Sequence, residues 1–201
     1  MTATSARYMR ERGQTELALQ MIAFEARTHT IRRCTGLSDD RIRRLYSTYF
    51  KDGNGQQVRR QRGKSPRRTE IFTSNLENER HAASLASLFV QFDLLAEEQY
   101  LLHSPANPGI AYGIRFCRAF ALYSNICAPA VFCFERAWSL CEALRERNEL
   151  AIRNCNSCNG IFVYDILSLR APVCSCCRIK KQARNIADAK GAKTGARDCR
   201  C

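Results

Sequence analysis

Histidine and long apolar runs are scarce in this chain, and each scarcity removes a class of function. The three histidines, His29, His81 and His103, stand far apart, and none belongs to an H-E-x-x-H helix or a similar cluster. A histidine-based catalytic metal site is therefore not written into the sequence. There is no glycine-rich phosphate loop. The carboxylate pairs Asp39-Asp40 and Glu97-Glu98 are adjacent in sequence, which on a helix points them apart, so neither suits a shared metal. Uncharged stretches reach sixteen residues at most, at 99–114 and 119–134, and both contain proline. A membrane-spanning helix needs about 20 apolar residues. Residues 1–20 carry Arg7, Arg10, Glu11, Arg12 and Glu16 with no apolar segment, so the expectation is no signal peptide, a cytoplasmic location and reduced cysteines. No internal repeat is present. With 201 residues and 45% hydrophobic content, the chain can build one domain of ordinary size plus a small appendage.

Cysteine is abundant, and four of the twelve are patterned. Cys155, Cys158, Cys174 and Cys177 form a C-x2-C-x15-C-x2-C array, the spacing of a tetrahedral all-cysteine zinc site. Each C-x2-C lets one tight turn aim two sulfurs at one ion. Asn159-Gly160 supplies the positive φ such a turn needs, and residues 161–164 and 167–173 are expected to form two short strands joining the pairs. Four sulfurs complete a tetrahedron, so one zinc here is structural, with no open catalytic position. Polar Asn156, Ser157 and Ser175 between the sulfurs argue against a packed thiol core. Cys176 offers a competing sulfur, but Cys177 preserves the x2 spacing. Cys117, Cys127, Cys133 and Cys141 sit among apolar residues and read as small core hydrophobes. Cys199 and Cys201 read as free thiols on a basic tail.

The net charge of +13 is segregated. Residues 1–50 carry +4, residues 51–70 carry +5, residues 71–177 carry −2 and residues 178–201 carry +6. Solvated surface charge explains scattered Lys and Glu but not an arginine excess confined to the first third and the tail. Such a footprint points to a polyanion, because each neutralised phosphate releases counterions.

Apolar periodicity predicts a mainly α fold. Leu17, Met21, Phe24 and Ile31 mark a first helix near 15–28. Thr35-Gly36-Leu37-Ser38 is a break in which Gly36 takes the left-handed turn and Ser38 caps the next helix. Asp39 and Asp40 suit the first turn of that helix, Ile42, Leu45, Tyr46 and Tyr49 form its apolar side, and it ends near 51–53. A further helix is expected at 75–98 from Leu85, Leu88, Phe89, Phe92 and Leu95, and another at 112–126. Cys127, Val131, Phe134, Trp138 and Cys141 give an a/d seam for a helix at 129–147 with Pro129 in its first turn. The expected organisation is N-terminal helices (1–52), a basic loop (53–70), a central helical region (71–149), a four-cysteine zinc-ribbon-like module (150–180) and a flexible basic tail (181–201).

The helix, Gly-Leu-Ser turn and helix over 28–46 resemble a DNA-binding helix-turn-helix, in which the start of the second helix reads base edges. Ser38, Arg41, Arg43 and Arg44 are candidate contacts there, with Arg41 or Arg44 suited to guanine and Arg32 and Arg33 suited to phosphate. Arg59, Arg60, Arg62, Lys64, Arg67 and Arg68 of the loop extend the set, as do Arg178, Lys180 and Lys181 beside the cysteine array.

Taken in order, Thr35-Gly36-Leu37-Ser38 with Arg41, Leu45 and Tyr46, then Arg136-Ala137-Trp138, then Cys155-x2-Cys158-x-Gly160 through Val173-Cys174-x2-Cys177 resemble the FlhC family of flagellar transcriptional activators. The resemblance spans about residues 15–180. It implies a mostly helical cytoplasmic protein without enzymatic activity, with zinc on Cys155, Cys158, Cys174 and Cys177. It also implies assembly with FlhD into a hetero-oligomer that binds double-stranded promoter DNA and recruits RNA polymerase to flagellar operons, away from any membrane. The arginine-rich loop and the tail ending Cys199-Arg200-Cys201 depart from the family pattern. Two other classes remain open on the residues alone: an enzyme gripping nucleic acid through a zinc ribbon, and a structural protein whose basic surface serves RNA or assembly.

Overall fold

The computed structural model describes residues 3–51, 58–61, 63, 66, 68–95, 108–169 and 173–194. Among the described residues there are seven α-helices and one two-stranded hairpin, besides a π turn and a short 3-10 turn (Glu70–Thr73): α1 (Ala3–Ala23), α2 (Thr28–Thr35), α3 (Asp39–Tyr46), α4 (Leu76–Gln91), α5 (Gly109–Ile126), α6 (Phe134–Glu146), β1 (Leu150–Asn154), β2 (Ile161–Asp165) and α7 (Ser175–Thr194). The fold is mainly helical, as the periodicity predicts.

Two helices stop earlier than their apolar stripes suggest, for one reason. The predicted first helix spans 15–28, but α1 starts at Ala3 and ends at Ala23. Glu25 takes φ +59, and its N–H reaches Ile22 O at 2.8 Å while that of Ala26 reaches Met21 O at 2.9 Å. These are the two bonds of a Schellman cap, here closed by glutamate where glycine is usual. Asp93, with φ +52, does the same for α4 through bonds from Asp93 N to Val90 O and Leu94 N to Phe89 O. The helix expected to run to 98 therefore ends at Gln91. Where glycine does occupy the site the reading holds: Gly36 has φ +72, and the Ser38 hydroxyl accepts from Arg41 N at the start of α3.

Two further expectations are corrected. Residues 129–133 are not helical; α6 begins at Phe134, so Pro129 lies in the preceding turn. Phe134, Trp138 and Cys141 are buried as the seam requires, but Val131 is exposed, Cys127 is half-buried and Cys133 is exposed. Beyond Tyr46 the chain widens into a π turn at Ser47–Lys51. The change of residues per turn rotates Tyr49 off the apolar face, and it is exposed.

Helix α5 is the axis of the core. Phe116 on it is fully buried, with ring centroids 5.6 Å from Phe89, 5.1 Å from Phe134 and 4.9 Å from Trp138. Phe24 from the α1–α2 turn joins the same cluster, 5.3 Å from Phe120 and 5.7 Å from Phe134. On its other side α5 meets α1 and α2 across Gly113. A Cβ there would fall 2.7 Å from Leu17 Cδ2 and 3.0 Å from Cys34 Cβ. Leu17 and Cys34 are themselves buried, so neither can withdraw freely. Gly113→Ala is therefore expected to lower stability by about 1–2 kcal/mol, overpacking outweighing alanine's better helix propensity. A urea midpoint unchanged or raised in that variant would refute the close approach.

β1 and β2 pair antiparallel, from Leu150 opposite Asp165 to Asn154 opposite Ile161, and β2 packs against α4. This differs from the expectation of strands at 161–164 and 167–173. The first strand precedes the cysteines, because Leu150-Ala151-Ile152 carries the apolar residues that lie against the body, with Leu150 and Ala151 buried. Residues 181–194, expected within the tail, continue α7.

Candidate metal centre and basic surface

The β1–β2 turn and the start of α7 bring the four patterned cysteines together. Cys155 and Cys158 lie in the hairpin turn, closed by Cys155 N to Gly160 O at 3.0 Å and Asn159 N to Cys155 O at 2.8 Å. Asn159 supplies the left-handed residue, with φ +56. Gly160 is not left-handed; a Cβ there would stand 3.4 Å from Cys158 Sγ. Cys174 and Cys177 sit at the N-terminal end of α7, where the helix dipole favours negative charge.

The sulfurs of Cys155, Cys158, Cys174 and Cys177 all lie within 4.8 Å of one another. Those of Cys158 and Cys174 are 3.8 Å apart. Four thiolates at about 2.3 Å from one ion form a tetrahedron with edges of about 3.8 Å, so the spacing fits a metal. All four are free thiols, and Cys176, which is exposed, lies outside the group. Electrostatics point the same way. Burial pushes the Cys155 thiol up, but the backbone N–H groups of Cys174, Ser157 and Cys158 outweigh it and bring it down to about 6. Hydrogen bonds with the thiols of Cys158 and Cys174, together with burial, push Cys177 up to about 12. Four such sulfurs cannot all be anionic at neutral pH without a cation between them. The group is placed to hold one metal ion.

The candidate basic residues separate into engaged and available sets. Arg33 turns inward: it pairs with Glu142 at 2.5 Å and lies 5.7 Å from the Trp138 ring. It holds α2 to α6 and is not a free phosphate ligand. Arg178 pairs with Glu79 at 3.3 Å, tying α7 to α4. Arg32 is exposed and pairs with Asp39 at 3.5 Å, and Arg43 with Asp40 at 2.7 Å. Ser38 spends its hydroxyl on the helix cap, accepting from Arg41 N at 3.3 Å. Arg41 and Arg44 are exposed on α3, and no ion pair holds either among the described residues. Arg59, Arg60 and Arg68 are exposed, as are Lys180 and Lys181 on α7. Arg62, Lys64 and Arg67 lie outside the described residues.

Acidic partners of the basic residues are what the sequence reading missed. Glu25 accepts from Arg59 N at 3.2 Å and Gln61 Nε2 at 2.9 Å, and Tyr46 donates to Val58 O at 2.7 Å. These three bonds pin the described start of the basic loop to the N-terminal helices. Glu135, 3% exposed, accepts from Arg27 N at 2.8 Å at the head of α2. No local signal marks such pairs, whose members lie up to 109 positions apart.

Residues 3–190 match the family model described as flagellar transcriptional activator (FlhC). No curated protein matches the chain. Among the described residues, no helix is long and apolar enough to cross a membrane.

Proposed function

The chain belongs to the FlhC family of flagellar transcriptional activators, and from that premise we propose that it is a zinc-stapled DNA-binding subunit. It acts with FlhD in a hetero-oligomer at flagellar operon promoters, where the assembly recruits RNA polymerase in the cytoplasm. The family is one of transcriptional regulators, not of enzymes.

The observation that carries this reading is the surface of α3. Helices α1, α2 and α3 pack on one another, with Met21 and Ile22 of α1, Ile31 of α2 and Ile42 and Leu45 of α3 all buried. That packing fixes α3 and leaves Arg41 and Arg44 exposed, with no acidic partner among the described residues. Within a helix-turn-helix geometry these two reach base edges in the major groove. Arg32 and Arg43, each neutralised by an aspartate, add phosphate contacts only when those pairs open. Arg59, Arg60, Arg68, Lys180 and Lys181, with Arg62, Lys64 and Arg67, follow the backbone.

Zinc supplies one thing when bound, a divalent centre that neutralises the four thiolates of Cys155, Cys158, Cys174 and Cys177. The chain does the rest. The hairpin turn presents one pair of sulfurs, α7 presents the other, and the Arg178–Glu79 pair seats α7 on the helical body. Lys180 and Lys181 are thereby held in a fixed position for a phosphate backbone.

Titration of the FlhD co-expressed complex against promoter duplex, scrambled duplex and RNA over a salt series tests the reading. Tighter binding to promoter duplex, dependent on the partner, is expected. Equal, strongly salt-dependent binding to all three would overturn it in favour of a general polyanion binder. In the same assay Arg44→Ala is expected to cost about 1–3 kcal/mol on promoter duplex and little on scrambled duplex. An equal loss on both would assign Arg44 to the phosphates.

A further inference from the structure

The four clustered sulfurs are not equivalent. Cys155 is 2% exposed, and its sulfur accepts backbone N–H groups from Ser157 at 3.4 Å and Cys174 at 3.3 Å. Cys158 is exposed, and no backbone N–H is hydrogen-bonded to its sulfur among the described residues. Its sulfur lies 3.8 Å from Cys174 Sγ and is also hydrogen-bonded with the Cys177 thiol. A backbone hydrogen bond to a thiolate withdraws electron density and lowers its nucleophilicity, and burial denies access to oxidants. Both effects protect Cys155 and neither protects Cys158. Cys176 is also exposed but lies outside the group of four, so its oxidation would remove no metal ligand.

We propose that Cys158 is an oxidation site for small hydroperoxides, and that its capture by Cys174 releases the metal; this rests on the zinc reading above. The Cys158 thiolate attacks one peroxide oxygen. An S–O bond forms, the O–O bond breaks, and hydroxide leaves and takes up a proton. The sulfur has lost two electrons to the peroxide and is a sulfenic acid. The Cys174 thiolate then attacks the Cys158 sulfur; an S–S bond forms, the S–O bond breaks, and the second oxygen leaves as water after protonation. Two thiolates, one hydrogen peroxide and two protons thus give one disulfide and two waters.

The consequence follows from where the pair sits. A Cys158–Cys174 disulfide removes two of four ligands, and the remaining two do not make a zinc site. It also joins the hairpin turn to the start of α7, so the two elements stay together while the ion leaves. Reduction returns the original ligand set. Oxidation therefore loosens the seat of Lys180 and Lys181 reversibly, which makes the DNA-facing surface responsive to peroxide.

The test uses zinc-loaded full-length protein, metal quantified beforehand, exposed to less than one equivalent of hydrogen peroxide with a chromogenic zinc chelator present. Absence of bound zinc at the outset would defeat the zinc reading itself. With zinc bound, the expected result is one zinc released per peroxide consumed and a Cys158–Cys174 disulfide in the peptide map. Dithiothreitol and added zinc should restore the loaded form. Cys176→Ser, which leaves the cluster intact, should release zinc at the unaltered rate. Zinc retained through the peroxide treatment, a first disulfide containing Cys155, or loss of release in Cys176→Ser would overturn the proposal.

Discussion

Cys155→Ser is expected to leave the protein without bound metal and with its C-terminal hairpin and α7 unfolded. Cys155 is the innermost of the four sulfurs, buried where the hairpin meets α7, and Cys174 N donates to it at 3.3 Å. Besides the sulfurs, the module is held by Leu150, Ala151 and Val163, its buried apolar residues other than cysteine, and by the Arg178–Glu79 pair. Val163 is its only fully engaged residue on β2, while Ile166, Leu167 and Leu169 are exposed. Apparent binding free energies of structural zinc, about 10–16 kcal/mol, far exceed what so small a core contributes. Metal content and amide hydrogen exchange over residues 150–180 read the outcome, with Cys176→Ser as the control that keeps both. Protection of β1 and β2 in metal-free Cys155→Ser would show that the hairpin folds through its packing on α4 alone.

Phe116→Ala is expected to remove about 3–5 kcal/mol of stability, the usual cost of deleting a buried aromatic ring. Phe116 touches Phe89, Phe134 and Trp138, so one deletion opens a cavity shared by α4, α5 and α6. Against a typical total of about 5–15 kcal/mol, that brings the helical body close to unfolding. The urea midpoint measures it. Ile126→Ala on the same helix, 67% exposed, should stay within about 0.5 kcal/mol. Comparable losses at the two positions would mean that α5 does not form the centre of the core.

These two sites also mark the limits of what the sequence makes legible. The cysteine array was readable because ligand spacing is a local property, and the structure does gather those four sulfurs while leaving Cys176 outside. The placement of the strands was not readable, since 150–154 is too short an apolar segment to stand out before its partner at 161–165 is known. The helix start at Ser38 follows from a side chain that accepts from the helix's own N–H group, and it was legible; the start of α4 near 75 was legible as well, but not its cap by Asn75. The ends at Glu25 and Asp93 were not, because nothing local distinguishes an acid that adopts a left-handed φ from one that continues the helix. Charge totals were legible too, but the fate of individual arginines depended on distant acids. Arg33 and Arg178 are engaged by Glu142 and Glu79, whereas Arg41 and Arg44 are exposed with no ion pair among the described residues.

A metal clip that fixes α7 beside the helical body is the premise on which the proposed DNA surface depends. X-ray absorption at the zinc edge of the purified full-length protein tests it most directly. One equivalent of zinc with four sulfur neighbours at about 2.3 Å is the expected result. Nitrogen or oxygen in the first shell, or a folded hairpin and α7 in protein that carries no zinc, would contradict it.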